Sequence, residues 1–291
     1  MPRPVAIATC REFPALHPDD HPLVTALSTA GIESEPVLWD DDVEWRRFRG
    51  VLLRSVWDYP EKEVAFRAWL DRLERAGTPC WNPVPLVRWN LDKLYLRELA
   101  AKGVPIPPTL FVERSPRVSA QDVVARIVAT GWPEVVVKPS VSGGAWRTLR
   151  LGRKDVPARA AALEEILAAS SLIVQPFLPE VVEQGEWSFL FFGGEFSHAV
   201  IKRPQAGDFR VQWSHGGSHV RAAAPPGLVA QARAVLHAGP SAGLYARVDG
   251  IVRDGTFLLM ELEQIEPYLF FAEDPPSVDR YVRALATRLD A

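Results

Sequence analysis

The stretch LLMELEQIEP (residues 258–267) sets Glu261, Glu263 and Glu266 in a run whose other residues read as buried strand. Alternation along a strand sends Glu261 and Glu263 to one face, with Met260 and Leu262 on the other. Two carboxylates on one face of an apolar strand are costly to bury unless positive charge meets them. Any fold for this chain must either bring cations to this strand or leave it as an edge with its glutamates in water.

The strand before it, within ARVDGIV, carries Arg247 and Asp249. Whether Asp249 shares the glutamates' face depends on the turn between the strands. A two-residue loop, Asp254 and Gly255, sets Asp249 opposite Met260, on the wrong face. A three-residue loop, Arg253 to Gly255, sets Arg247 opposite Glu261 with Asp249 diagonal to it, and gives Gly255 the left-handed conformation. The three-residue loop is the expectation. Three carboxylates then share one patch, where like charges about 4 Å apart repel by roughly 4 kcal/mol at an effective dielectric of 20. Arg247 cannot neutralise all three, and an all-oxygen cluster suits a hard cation, Mg²⁺ or Mn²⁺.

Other cations stand without obvious partners. Lys93 falls in the first turn of the predicted helix LDKLYLRELAAK, where the helix dipole disfavours a positive charge. Lys138 ends the strand EVVVK just before PSVSGG, beside a loop whose backbone amides can approach an anion. Lys202, Arg203 and Arg210 flank the glycine-dotted loop RPQAGDFRVQWSHGGSH. Neither a GxxxxGK[ST] nor a GxGxxG loop occurs. Phosphates together with a divalent metal account for these cations and the acidic patch at once.

The 291 residues suffice for two or three subdomains. Residues 1–85 read as a small α/β unit, with strands in VAIATC and GVLLRSV and an amphipathic helix ended by Gly77. Residues 86–173 follow, with Asn90 as a helix cap and Ser119 and Asp122 as a capping box. Residues 174–291 read as antiparallel strands, hinged on a Gly193–Gly194 hairpin. A net charge of −3, spread along the chain, suggests neither nucleic acid nor a membrane surface as partner. No apolar run reaches the roughly 18 residues of a membrane span. Cys10 and Cys80 are too few for a disulfide framework, so a cytoplasmic protein is expected. His215 and His219 are read as loop residues rather than as a zinc pair. Arg54, Trp57, Asp58 and Tyr59, in RSVWDYP, mix charge and aromatics after an apolar strand and are candidate substrate contacts, with packing between domains as the other reading.

Taken in order, these features resemble the ATP-grasp superfamily of ATP-dependent carboxylate–amine ligases over roughly residues 86–272. NLDKLYLRELAAKGVPIPPT is similar to the helix of the family's first phosphate-binding lysine, which makes Lys93 a phosphate contact. VVVKPSVSGG is similar to the second lysine strand and its phosphate-covering loop, giving Lys138, Ser142, Gly143 and Gly144. VQPFL occupies the hinge, with Gln175 where a glutamate is common and backbone at Phe177 and Leu178 to read adenine. Glu186 in GEWS matches an acidic residue at the ribose. RVDG and MELE match the metal strands, with Asp249, Glu261 and Glu263 as ligands and Arg247 beside them. Glu263 stands where many members carry asparagine.

The loop KRPQAGDFRVQWSHGG is similar to that of bacterial glutathione synthetases, whereas LRSVWDY and LMELEQIEP look more like cycloserine-forming ligases. The resemblance implies an α+β and α/β ATP-grasp fold, a small N-terminal α/β domain with two subdomains clasping ATP. It implies an ATP- and Mg²⁺-dependent (or Mn²⁺-dependent) ligase forming an amide-type C–N bond through an acyl phosphate, with closure of a ring within one molecule included. Arg247, Arg210 and Lys202 are the expected catalytic charges, and Gly216, Gly217 and Glu266 are expected at the substrate. The expected partners are a small carboxylate and an amine, with a homodimer as a candidate assembly. A non-ligating ATP-binding module and a small-molecule phosphotransferase are the alternatives.

Overall fold

A computed structural model describes residues 3–289. The chain opens with β1 (Val5–Thr9), α1 (His21–Thr29), β2 (Ser34–Leu38), β3 (Gly50–Leu53), α2 (Glu63–Ala76) and β4 (Cys80–Trp81). These strands form a parallel sheet in the order β2-β1-β3-β4. Such a sheet is covered on both faces, and the central strands β1 and β3 are accordingly buried throughout, while the edge strand β2 carries Ser34 and Glu35. Trp39, Phe66 and Trp69 pack on the α2 side, and Leu23 and Leu27 on the α1 side. Gly77 ends α2 in the left-handed conformation, as its position predicts.

Next come α3 (Val84–Asn90), α4 (Tyr95–Ala101), β5 (Leu110–Val112), α5 (Ala120–Ala129), β6 (Glu134–Pro139), β7 (Leu149–Gly152), α6 (Ala160–Ala169) and β8 (Leu172–Pro176). The four strands form an antiparallel sheet, β5-β8-β6-β7, with α5 and α6 packed on it around Val123, Ile127 and Leu163. Ser119 and Asp122 make the predicted capping box on α5. The single helix expected over residues 91–102 is not formed. The chain turns between α3 and α4, and Lys93 sits in that turn. Asn90 is the last residue of α3 rather than a cap, and its side-chain amide is spent on β-strand backbone further along the chain.

The remainder comprises α7 (Glu180–Glu183), β9 (Glu186–Phe192), β10 (Glu195–Arg203), β11 (Ser218–Ala222), α8 (Pro226–Ala238), β12 (Tyr245–Arg253), β13 (Thr256–Glu263) and α9 (Ser277–Leu289). Its antiparallel sheet runs β11-β10-β9-β12-β13, covered on one face by α4 and α8 through Leu96, Phe189, Leu236 and Val248. Helix α9 returns to the first unit, where Tyr281 and Leu285 join the cluster under α1. β13 is an edge, and its free backbone groups are met by side chains. Asn90 donates to the Leu262 carbonyl (2.7 Å) and accepts from Gln264 N (2.7 Å), while the Tyr95 hydroxyl donates to Leu262 O (2.8 Å). This answers the edge-strand problem and clamps β13 to the lysine turn.

The β12–β13 turn differs from expectation. Arg253 pairs with Thr256, so the loop has two residues, Asp254 (φ 51°) and Gly255 (φ 77°), both left-handed. A regular ladder from that turn would set Asp249 opposite Met260. Instead the register shifts between Asp249 and Gly250, leaving Met260 as an extra residue. Beyond this bulge Asp249 pairs with Glu261, and Arg247 pairs with Glu263 rather than with Glu261. Gly250 makes the bulge feasible, because a Cβ there would run into the Leu258 carbonyl and the Phe257 ring.

Candidate active site

The carboxylates meet cations on the cavity face of the β11–β13 sheet. Arg247 lies along this face with its Nε donating to both Asp249 oxygens (3.0 Å each), its Nη2 to Glu263 and its Nη1 to the Tyr268 carbonyl (3.1 Å). Lys202, on β10, reaches Asp249 Oδ2 (2.8 Å) and Glu186 Oε1 (2.6 Å), and Ser188 donates to Asp249 Oδ1 (2.6 Å). Burial alone would raise the Asp249 carboxyl, but Arg247 and Lys202 hold it down at about 2. Glu263 is different: burial, with Glu261 and Asp249 nearby, raises it to about 7 in spite of Arg247. Negative charge is thus in excess on this face.

The third carboxylate is met from the neighbouring unit. Lys93 Nζ lies 3.1 Å from Glu261 Oε1 and also donates to the Ser142 carbonyl, while its backbone N donates to Ser140 O (2.8 Å). The turn that interrupts the expected helix is what aims Lys93 at Glu261. Lys138, from the end of β6, makes no ion pair or side-chain hydrogen bond among the described residues. Burial, with Lys93 close by, lowers its ammonium below the ordinary lysine value, although Glu261 and Glu186 pull the other way. A half-buried cation facing a cavity with no fixed partner is a place for an anion.

The charged groups Lys93, Lys138, Lys202, Arg247, Asp249, Glu261 and Glu263 line one cavity of about 370 Å³ between the β6 sheet and the β12–β13 sheet. Ser142, Gly143, Gly144, Gln175, Phe177, Leu178, Glu186 and Arg210 reach the same wall, as do Trp57, Tyr59 and Glu266. Gln175 is 2% exposed and its amide is held by the Thr109 hydroxyl (3.0 Å). Phe177 lies under the Arg150 guanidinium, 3.5 Å from ring centroid to carbon, with Phe209 edge-on at 6.5 Å. Arg210 faces the cavity, yet its guanidinium is bound by Asp208 (2.7 Å), which it holds well below the usual carboxylate range.

Four expected substrate contacts fall elsewhere. Arg54 is 1% exposed and pairs with Asp20 (2.8 Å), its Nη2 donating to the Pro267 carbonyl (2.8 Å). It fastens the first sheet to the segment after β13 and does not line the cavity. Asp58 accepts from Trp39 Nε1 (2.7 Å) and pairs with Lys62, again within the first unit. Gly216 and Gly217 form a tight turn, with Gly217 N donating to Gln212 O (3.1 Å). It is Val211, Gln212, Ser214 and His219 around that turn that meet the cavity. The turn touches the phosphate-loop candidate through His215 Nε2 and the Gly144 carbonyl, 3.2 Å apart.

Trp57, an expected substrate contact, belongs to an aromatic wall whose other members carry no expectation. Phe13, Trp57, Tyr268 and Phe270 line the cavity next to Glu266, with Trp57 and Tyr268 stacked (6.4 Å, 27°) and Phe13 edge-on to Trp57 (5.4 Å). Three chain segments contribute, so no local pattern marks it. The aromatics Tyr268 and Phe270, within PYLFF after the last glutamate, were the available signal.

The residues fit a divalent cation by chemistry, since Asp249, Glu261 and Glu263 offer only oxygens and carry surplus negative charge. Among the described residues no three His, Cys, Asp or Glu side chains are gathered closely enough to hold one. Arg247 and Lys93 occupy the carboxylates instead, so these side chains would have to turn toward the cavity to bind it. No described helix is long and apolar enough to cross a membrane.

Comparison with known proteins points the same way. Residues 5–82 match the family described as D-cycloserine synthetase DcsG, N-terminal domain. The cycloserine biosynthesis protein DcsG of Streptomyces lavendulae is 36% identical, over 93% of this chain and 94% of its own. A crystal structure of D-cycloserine synthetase DcsG superposes with a TM-score of 0.88 at 32% identity, covering 98% of this chain and 99% of that one. Glutathione synthetase of Prochlorococcus marinus (strain MIT 9313) is 36% identical over 51% of this chain and 45% of its own. The D-alanine–D-alanine ligase of Bacillus anthracis complexed with ATP shares the fold, with a TM-score of 0.66 at 18% identity over 98% of this chain and 95% of that one.

Proposed function

The chain belongs to the ATP-grasp family as an ATP-dependent carboxylate–amine ligase related to DcsG, and from that premise we propose that it closes a small ring. In this reading ATP activates the carboxyl group of an amino-acid-derived molecule, and an amine nitrogen of the same molecule displaces the phosphate. The observation that carries the reading is Lys138: a half-buried ammonium facing the cavity with no fixed partner among the described residues, beside Lys93, where polyphosphate would sit.

Each role follows from placement. Lys93 and Lys138 hold the phosphates, with the backbone at Ser142, Gly143 and Gly144 closing over them. Phe177, Leu178, Val181 and Met260 give the flat base an apolar slot, and Glu186, held by Lys202, faces the ribose. A divalent ion, Mg²⁺ in this proposal, would be held by Asp249, Glu261 and Glu263 and would neutralise charge on the nucleotide. Arg247, freed from Glu263, meets the activated carboxyl and the oxyanion that follows. Positioning does the remaining work, and the loop carrying Phe209, Arg210 and Val211 keeps water from the acyl phosphate. The tryptophan and tyrosine side of the cavity, Trp57 and Tyr59, receives the substrate rather than the nucleotide.

ADP and inorganic phosphate are measured with ATP, Mg²⁺ and a panel of amino acids bearing a second nitrogen on the side chain. The expected result is equal release of both, with a product lighter than its substrate by one water. ADP without free phosphate would assign a phosphotransferase instead.

A further inference from the structure

Ligation at this cavity leaves one proton unassigned. When an amine attacks an acyl phosphate, the C–N bond forms, the C–O bond to phosphate breaks, and nitrogen must shed a proton. The lysines and arginines of the site are engaged as cations toward phosphate and carboxylate, and Asp249, Glu261 and Glu263 are held by Arg247, Lys202 and Lys93. Glu186 is held by Lys202 and Glu12 is exposed at the cavity mouth, which leaves Glu266 as the buried carboxylate on this wall. It is 9% exposed, lines the cavity, and is paired with no cation among the described residues.

Its surroundings are built rather than incidental. The Glu266 carbonyl accepts from Trp57 Nε1 (2.9 Å), and Arg54 fixes the next residue through the Pro267 carbonyl (2.8 Å). The buried Tyr59 hydroxyl interacts with the Glu266 carboxyl. A Cβ on Gly143 would stand 3.8 Å from Glu266 Oε1, so the carboxyl approaches the loop assigned to the phosphates. Trp57, Tyr268 and Phe13 form the adjoining wall, whose ring faces favour a cationic nitrogen.

Resting on the ligase reading above, we propose that Glu266 receives the substrate's amine nitrogen and accepts its proton as the C–N bond forms. The electron pair of the N–H bond stays on nitrogen, the proton passes to the Glu266 carboxylate, and phosphate leaves with the electrons of the C–O bond. Burial, with Glu263 nearby, raises this carboxyl to about 8 against the pull of Lys93, with Glu261 adding to the rise. The raised value makes the ionised Glu266 a stronger proton acceptor than an ordinary glutamate. The substrate class implied is a free amine held against an aromatic face and one carboxylate.

Glu266→Gln separates the two half-reactions. Hydroxylamine, uncharged near neutral pH and small enough to bring its own water, traps an acyl phosphate without this base. The variant is expected to give hydroxamate and ADP within about threefold of wild type while ring-closed product falls at least 100-fold, with Glu266→Asp restoring part of it. Equal loss of both products in Glu266→Gln would assign a structural role and overturn the proposal, as would unimpaired ring closure. Wild-type protein that releases no ADP with any panel member would instead strike at the ligase reading itself.

Discussion

Asp249 stands directly opposite Glu261 across β12 and β13, although the two-residue turn below them would place Met260 there. One extra residue in β13 therefore decides whether the acidic patch exists. Gly250 permits that bulge by offering no Cβ to the Leu258 carbonyl. Gly250→Ala should cost about 1–3 kcal/mol through overpacking, read as a lower urea midpoint, and should cut ADP formation by more than the lost folded fraction explains. An unchanged midpoint would mean the bulge relaxes freely.

Arg247 is 7% exposed and shared by Asp249 and Glu263. Removing it in Arg247→Ala leaves the half-buried Glu263 without its cation and Asp249 with Lys202 alone, a loss of about 3 kcal/mol. Arg247→Lys keeps the charge but not the two-pronged geometry. It should recover most of the stability in denaturant titration while activity stays depressed at least tenfold.

Lys138 offers the converse. Because its ammonium is partly desolvated without a fixed partner, Lys138→Met should leave the melting temperature of the ATP-free protein unchanged or raised. The rise in melting temperature on adding ATP should shrink, reflecting a loss of at least tenfold in nucleotide affinity. A large destabilisation without ATP would point to a structural lysine.

His198, 3% exposed on β10, governs acid stability away from the cavity. Burial lowers its imidazole to about 4 despite Asp274, with Ser197 and the Leu269 carbonyl as hydrogen-bond partners and Arg221 and Arg280 close by. The unfolded chain takes up this proton below about 6.5 and the native state only below about 4, so stability falls as pH drops through that window. The contribution is about 3 kcal/mol. His198→Gln should flatten the stability profile between pH 6.5 and 4 and leave the region above pH 7 unchanged.

Much of this was legible in the amino-acid sequence because it depends on local pattern. The helix end at Gly77, the capping box at Ser119 and Asp122 and the Gly193–Gly194 hairpin each rest on a few adjacent residues. The candidate lysines and glutamates could be picked out because charge in apolar strands demands a partner. What was not legible depends on tertiary context. The bulge at Met260 leaves no mark in hydropathy, since Leu258, Leu259 and Met260 are all apolar. The break before Tyr95 is stabilised by Asn90 and Tyr95 binding the edge of β13, some 170 residues away in sequence. Arg54 and Asp58 read as substrate contacts or as packing between domains, and what decides for packing, Asp20 for Arg54 and Trp39 for Asp58, comes from separated segments.

Isotope transfer tests the central claim most directly. The protein is given ATP, Mg²⁺ and a substrate whose carboxyl group carries oxygen-18, and the inorganic phosphate released is analysed by mass spectrometry. Activation of the carboxyl by phosphoryl transfer predicts one labelled oxygen in each phosphate, in step with ring-closed product, and loss of both in Glu261→Gln. Phosphate released without label would contradict the account, because the carboxyl would then never have carried the phosphoryl group.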